Sequence, residues 1–468
     1  MSTQHKKIHI IGIEGAGTSA LARMYNKLGH AVSGSDEGDH FYYDLLKDEG
    51  MEVSHEFSAG NIPKNADLIV YSSAFKPETN EELKAALESN KKVLTYAEAL
   101  GSLMNEKYGI AVCGSHGKTT TTAWLAFVME RSGLSPSAII GAKVPQLGGS
   151  SLAGYSDYFV IEADEYQNKF KFYNPKAVLL NNIDYDHPDF FPTPEDYEKA
   201  FIEFIKRIPT KGFLIANYDD PIIRKTAYVN CRGRVITYGI TAAADYVAYD
   251  IRRNEGGKQY FRVKLGSDGL AADEEEDAAP GELGEFSIKL SGRHNILNAL
   301  AVIAASIELN IDLVKIRTYL EEFAGTNRRM EIMGKFRGAV IIDDYAHHPA
   351  EIRATLAGAR EVYRNKRLIV VFHPHTFTRT KALLDDFAGS FGAADEVVIL
   401  DIFGSAREKQ GGVHSLDLVK KIRSSPAKHI PTLEECEKYL RENIGAGDAV
   451  ILMGAGDVYK IGEKLINS

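Results

Sequence analysis

The sequence predicts an α/β protein of three domains in series, on three observations. Short apolar runs recur along all 468 residues, each followed by a polar or glycine-rich turn and a helix-like stretch. That length exceeds what one hydrophobic core holds and suits about three units of ordinary size. Several strand-to-turn junctions carry chemistry, and open parallel sheets gather ligands at the carboxyl ends of their strands. The expected order is an N-terminal Rossmann-like domain (1–106), a central P-loop mononucleotide-binding domain with added antiparallel strands (107–326), and a C-terminal Rossmann-like domain (327–468).

In the first unit a strand over 7–13 leads into a turn containing Gly12, Gly15 and Gly17, then a helix through Leu28. A second strand, 31–33, is followed by Asp36. A glycine-rich turn and an acid after the second strand suit NAD, flavin or any diphosphate carrying a ribose. A strand over 67–71 ends in Ser72 and Ser73.

The central unit opens with the apolar run 110–113 and then Gly114, Ser115, His116, Gly117, Lys118, Thr119 and Thr120, with helix-like residues beyond. Such a turn aims backbone N–H groups and a helix dipole at one point, which suits a polyphosphate. Lys118 would sit on the β- and γ-phosphates and Thr119 would ligate magnesium. Val112 stands where the usual P-loop has a further glycine, so the loop is a shortened relative. The strand over 158–161 ends in Glu162, Asp164 and Glu165, and the strand over 177–180 ends in Asn181, Asn182, Asp184, Asp186, His187 and Asp189. Hard oxygen ligands with one imidazole suit magnesium bridging a nucleotide and a second anionic substrate, although a solvated acidic turn would read the same for some of these aspartates. Residues 234–290 alternate like antiparallel strands flanking the main sheet, broken by an acidic stretch from 267 that reads as a solvated hairpin excursion. Asn295, at the start of an apolar helix, suits a purine edge or helix capping equally.

The third unit has strands at 339–342, 368–372, 397–400 and 449–453, each ending in polar or glycine-rich residues. Chemistry at four strand ends of one sheet suggests a ligand face.

A net charge of −9 with no basic run excludes a nucleic-acid surface. No segment is long enough to cross a bilayer, and the first apolar run is too short for a signal peptide. Cys113, Cys231 and Cys436 are widely spaced and form no framework, which suits a reducing cytoplasm. Cys113 reads as a small buried filler or a reactive thiol beside the loop.

These motifs together resemble the Mur ligases of bacterial cell-wall synthesis over essentially the whole chain. The resemblance rests on residues 114–122, 162–165, 182–187, 292–299, the pair Arg328 and Arg329, 343–349, 372–380, 402–408 and 453–457. It implies an ATP- and magnesium-dependent ligase joining L-alanine to UDP-N-acetylmuramate through an acyl phosphate, as a cytoplasmic monomer or weak homodimer. It also implies that Lys118, Glu162, His187, His348 and Arg379 are catalytic, with magnesium on Thr119, Glu162 and His187. Asn295, Arg329 and Asp344 would join the loop in holding the nucleotide. Gly15, Gly17, Thr18, Ser19, Asp36, Ser73 and Asn182 would bind the sugar nucleotide, and His348 and Arg379 the amino acid. Tyr166 stands where alanine-adding members usually have serine and is typical of the ligases that add a recycled tripeptide. The segment 372–380 points to alanine instead. Glu14 replaces a glycine of the N-terminal turn, and Thr376 an arginine found in some relatives. The remaining alternatives are a nicotinamide or flavin oxidoreductase, which leaves the phosphate loop idle, and a P-loop switch, which leaves the first and third units without ligands.

Overall fold

The computed structural model describes residues 5–37, 42–241, 243–254, 257–266, 281–404 and 411–467. Most of the expected acidic excursion, 267–280, and the motif residues 405–408 lie outside them. Three sheets order the chain. In the first, Lys7–Ile11 lies between Ala31–Ser35 and Leu68–Tyr71, with Glu52–Ser54 and Val93–Thr95 at the edges, all parallel. The leading strand stops at Ile11, two residues earlier than expected, because Gly12 turns the chain at φ 78°.

The second sheet has ten strands. Tyr108–Cys113 sits between Tyr158–Glu162 and Ala177–Leu180, parallel to both, so the phosphate loop and the two acidic turns leave the sheet side by side. The antiparallel reading of 234–290 needs correction. Arg234–Gly239 runs parallel to Phe213–Asn217, because the helix Pro221–Asn230 between them makes a crossover. Tyr246–Arg253 then touches it in parallel at two positions, and only Gln259–Leu265 and Glu282–Ile288 add antiparallel edges.

The third sheet is parallel around Asp448–Met453 and Arg367–Phe372, with Glu331–Phe336 as its one antiparallel edge. Its strand Ala339–Asp344 is two residues longer than expected and takes in Asp343 and Asp344. Among the described residues, no helix is long and apolar enough to cross a membrane.

Two buried clusters cover the faces of the central sheet. One packs the helix Lys118–Arg131 and the helix Arg293–Glu308 over Ile110, Val112, Leu179 and Ile215. The other carries the helix Ala16–Lys27 against Ile139 and Phe159, so the first unit docks through the helix that follows its glycine turn. Cys113 is fully buried and burial pushes its thiol pKa up, the behaviour of a filler. Trp124 is fully buried and stacked on Phe323 at 5.1 Å, which seats the helix that begins at Lys118. Trp124→Ala is therefore expected to destabilise the fold by about 3–5 kcal/mol. Calorimetry of the full chain should show a lowered Tm, and an unchanged Tm would contradict this seating.

Candidate active site

The phosphate loop is built by two left-handed glycines and a bracket of asparagines. Gly114 and Gly117 stand at φ 136° and 77°. A Cβ at 117 would lie 2.7 Å from the Asn298 side-chain oxygen, so only glycine fits. Asn182 accepts from the His116 N–H at 2.8 Å and donates to the His116 carbonyl at 3.1 Å. Asn181 donates to the Thr121 hydroxyl at 3.0 Å. Ser115 Oγ accepts from the Asp184 N–H at 2.7 Å and lies 2.8 Å from the Tyr197 hydroxyl. Asn182, expected on a substrate, braces the loop and also lines the larger cavity.

Lys118 Nζ donates to the carbonyls of Gly114 at 2.6 Å and Ser115 at 3.1 Å and pairs with Glu165 at 3.2 Å. Burial pulls its pKa down, but Glu165, Asp164 and Glu162 outweigh this and hold the ammonium above its ordinary range. Thr119 donates to Glu162 Oε1 at 2.8 Å, and the Gly141 N–H donates to Oε2 at 2.7 Å. A side chain at 141 would collide with that carboxylate, its Cβ only 2.4 Å away. Burial pushes the Glu162 pKa up, against the pull of Lys118. Asp164, Glu165 and His187 offer ligand atoms that all lie within 4.8 Å of one another.

Two cavities meet at the loop. The smaller, about 640 Å³, is walled by Gly15, Gly17, Thr18 and Ser73 of the first unit, by Lys118, Thr119, Glu162 and His187, and by His347 of the third unit. The larger, about 950 Å³, is walled by His116, Thr120, Asn295, Asn298 and Asp344. Gly117, Arg329 and Glu351 border both. Asn295 is not a helix cap: its amide donates to the Ser291 carbonyl at 2.7 Å, and Gly292 takes the cap position. Asp344 accepts from the Met330 and Ala346 N–H groups at 2.8 and 2.9 Å, and burial raises its pKa against the pull of Arg329.

Other expected residues do not reach the cavities. Ser19 is fully buried and donates to the Ala16 carbonyl at 3.2 Å. Asp36 accepts from the Glu14 N–H at 2.8 Å and braces the turn from behind. His348 caps the helix Pro349–Val362 and lies tilted against His116, ring centroids 4.8 Å apart, while His347 takes the cavity wall. Arg379 is buried and paired with Asp186, Nε to Oδ1 at 2.9 Å. Asp186 is therefore no solvated turn residue, whereas Asp189 is exposed. Sequence reasoning passed over Tyr96 and Glu351. Glu351 faces His116, Arg329 and His347. Its place one turn into the helix capped by His348 was the available signal. Tyr96, at the start of the helix Tyr96–Asn105, lines the smaller cavity and belongs to no motif, so no signal in the sequence marked it.

Models of the Mur ligase family match in three successive pieces: the Mur ligase family catalytic domain over residues 7–108, the Mur ligase middle domain over 112–306, and the glutamate ligase domain over 328–456. The chain belongs to the Mur ligase family. It is 40% identical over 463 residues to the UDP-N-acetylmuramate–L-alanine ligase of Desulfitobacterium hafniense, covering 98% of this chain and 99% of that one. It is 41% identical to the enzyme of the same name from Alkaliphilus metalliredigens, covering 99% and 97%. Among solved structures, the UDP-N-acetylmuramate-alanine ligase MurC of Thermotoga maritima superposes with a TM-score of 0.82 at 26% identity over 99% of both chains. A murein peptide ligase of Psychrobacter arcticus gives 0.75 at 26% identity, covering 99% and 98%.

Both ring nitrogens of His116 face carboxylates, Nε2 to Asp184 at 3.1 Å and Nδ1 to Glu351 at 3.4 Å. Burial lowers its pKa, but these two acids raise it to about 9. A pKa raised on folding adds stability that is fully present below the unfolded value, about 6.5, and lost as pH rises through the folded one. The Tm of the protein is thus expected to fall between neutral pH and about pH 9. His116→Asn should flatten that slope; parallel slopes in the two proteins would show that His116 is not the cation described.

Proposed function

We propose that this protein is an ATP-dependent ligase that joins L-alanine to the carboxylate of UDP-N-acetylmuramate. The observation that carries the reading is the phosphate loop standing between two cavities, one walled by the first unit and one by the third. Names borne by full-length relatives at about 40% identity favour alanine over a tripeptide as the amine. The three units have borders near 106 and 326 and work in the cytoplasm.

A carboxylate does not react with an amine until its oxygen becomes a leaving group. Transfer of the γ-phosphoryl group of ATP makes an acyl phosphate, attack by the amine gives a tetrahedral intermediate, and departure of phosphate leaves the amide. These steps gather negative charge, so the protein acts by positioning and neutralisation. The larger cavity takes the nucleotide, with Asn295, Arg329 and Asp344 at its base and ribose end, and the loop with Lys118 takes the phosphates. The smaller cavity takes the UDP-sugar against Gly15, Gly17, Thr18 and Ser73.

The donors present fit magnesium. Thr119 and Glu162 already share a hydrogen bond over Gly141, and Asp164, Glu165 and His187 form a second set of hard donors with one imidazole. Magnesium held by these residues would supply charge neutralisation for phosphoryl transfer.

At the amine end His347 replaces His348. Its Nδ1 faces the Tyr345 carbonyl at 3.0 Å, and burial lowers its pKa to about 4, so at neutral pH Nδ1 donates and Nε2 accepts. That lone pair suits an incoming ammonium. Arg379, which Asp186 holds away from both cavities, would receive the amino-acid carboxylate on a rearrangement that frees it.

Lys118→Ala should lower product formation by two to three decades, or about 2.7–4 kcal/mol, with the fold intact. Phosphate release in the presence of ATP, UDP-N-acetylmuramate and L-alanine measures it, and near-normal turnover would falsify the role. Arg379→Lys should raise the KM for alanine with less effect on ATP. Wild-type enzyme offered L-alanine and the recycled tripeptide at equal concentration should ligate alanine; preferential tripeptide ligation reverses the choice of amine.

A further inference from the structure

His187 stands at φ 56°, a left-handed conformation that a residue with a side chain seldom adopts unless held. Part of the hold is local, since its N–H donates to Asp186 Oδ1 at 2.6 Å. The imidazole itself is covered by Tyr166, ring centroids 4.5 Å apart and planes 32° apart. Tyr166 is pinned in turn. Its hydroxyl donates to Asp189 Oδ2 at 2.6 Å, two residues beyond His187, and Phe190 meets its ring edge-on at 5.7 Å. Tyr166 directly follows Glu165, and Gln167 and Asn168 after it are left-handed at φ 57° and 55°. The chain thus turns sharply at the point where it brings this ring over His187.

With the ring in place, His187 Nε2 points at Glu165 Oε1, 3.6 Å away, and Asp186 Oδ2, 3.8 Å away. An imidazole lone pair serves as a ligand only along one direction, and rotation about the Cβ–Cγ bond turns it away. An aromatic face against the ring removes that rotation without occupying either nitrogen. Partners that orient a ligand histidine in this way govern metal affinity although they touch no metal.

We propose that Tyr166 is a positioning residue that fixes the His187 imidazole toward Asp164 and Glu165, so that the three act together as one divalent-cation site. The proposal rests on the reading of His187 as a cation ligand. It gives Asp189 a purpose as well, as the anchor of the tyrosine ring.

The test uses the full chain with a non-hydrolysable ATP analogue, UDP-N-acetylmuramate and Mn²⁺ as the probe, free ion being followed by electron paramagnetic resonance. Tyr166→Ala and Tyr166→Leu should weaken one of the bound ions about tenfold. Tyr166→Phe, which keeps the ring, should stay closer to wild type than either. His187→Ala should lose that ion. In turnover, the alanine and leucine variants should need more Mg²⁺ and recover much of their kcat when it is supplied. The leucine variant fills the space of the ring and keeps the test usable should the alanine variant fail to fold. Unchanged Mn²⁺ affinity in Tyr166→Leu alongside loss in His187→Ala overturns the role of Tyr166 and leaves that of His187. Wild-type Mn²⁺ binding in His187→Ala removes both.

Discussion

One buried ammonium among three carboxylates sets the terms for the rest of this structure. Lys118 draws its charge balance from Glu162, Asp164 and Glu165, all at the carboxyl end of Tyr158–Glu162, the strand beside the one that leads into the loop. Carboxylates so close to a phosphate-binding loop would repel a polyphosphate unless cations came between them. Cations held as proposed above would relieve that repulsion. Asp164, Glu165 and His187 are clustered closely enough to share one, and Thr119 and Glu162 meet beside them.

The third unit meets the loop through charge as well. Glu351 reaches His116 of the loop and Arg329 of the linking segment, and Arg379 reaches Asp186 of the acidic turn. His348 adds a 3.2 Å contact to the Tyr185 carbonyl. These groups are polar and would be solvated were the domains apart, so their pairing carries a modest net gain. A gain of that kind would suit a joint that opens for substrate and closes over the reaction proposed above. The docking of the first unit differs, because the helix Ala16–Lys27 buries an apolar face on the central sheet.

Much of the fold was legible because its signals are local. Short apolar runs marked the strands, and glycines marked the turns that need left-handed backbone, as at Gly12, Gly114 and Gly117. The antiparallel reading of 234–239 failed because a half-buried strand alternates in the same way whichever direction its neighbour runs; only the helix before it decides. Within the site, the loop residues and Glu162 could be named because their strand ends are adjacent in the sheet. His347 and His348 could not be told apart, since which of two neighbouring imidazoles caps a helix depends on where the extended backbone ends, here at His348. Ser19 carries the right polar group, but it is fully buried and its hydroxyl is taken by the Ala16 carbonyl.

By itself the sequence determined the three α/β units, the phosphate loop and the family, because each rests on residue types at fixed spacing along a short stretch. Tertiary structure decided which groups share a cavity. Tyr96 and His347 arrive on one wall from different units, Glu351 bridges the two cavities, and Tyr166 lies on His187 twenty-one residues away in the chain. The physical reason is that orientation and burial, which fix what a histidine or carboxylate can do, are set by packing across elements far apart in sequence.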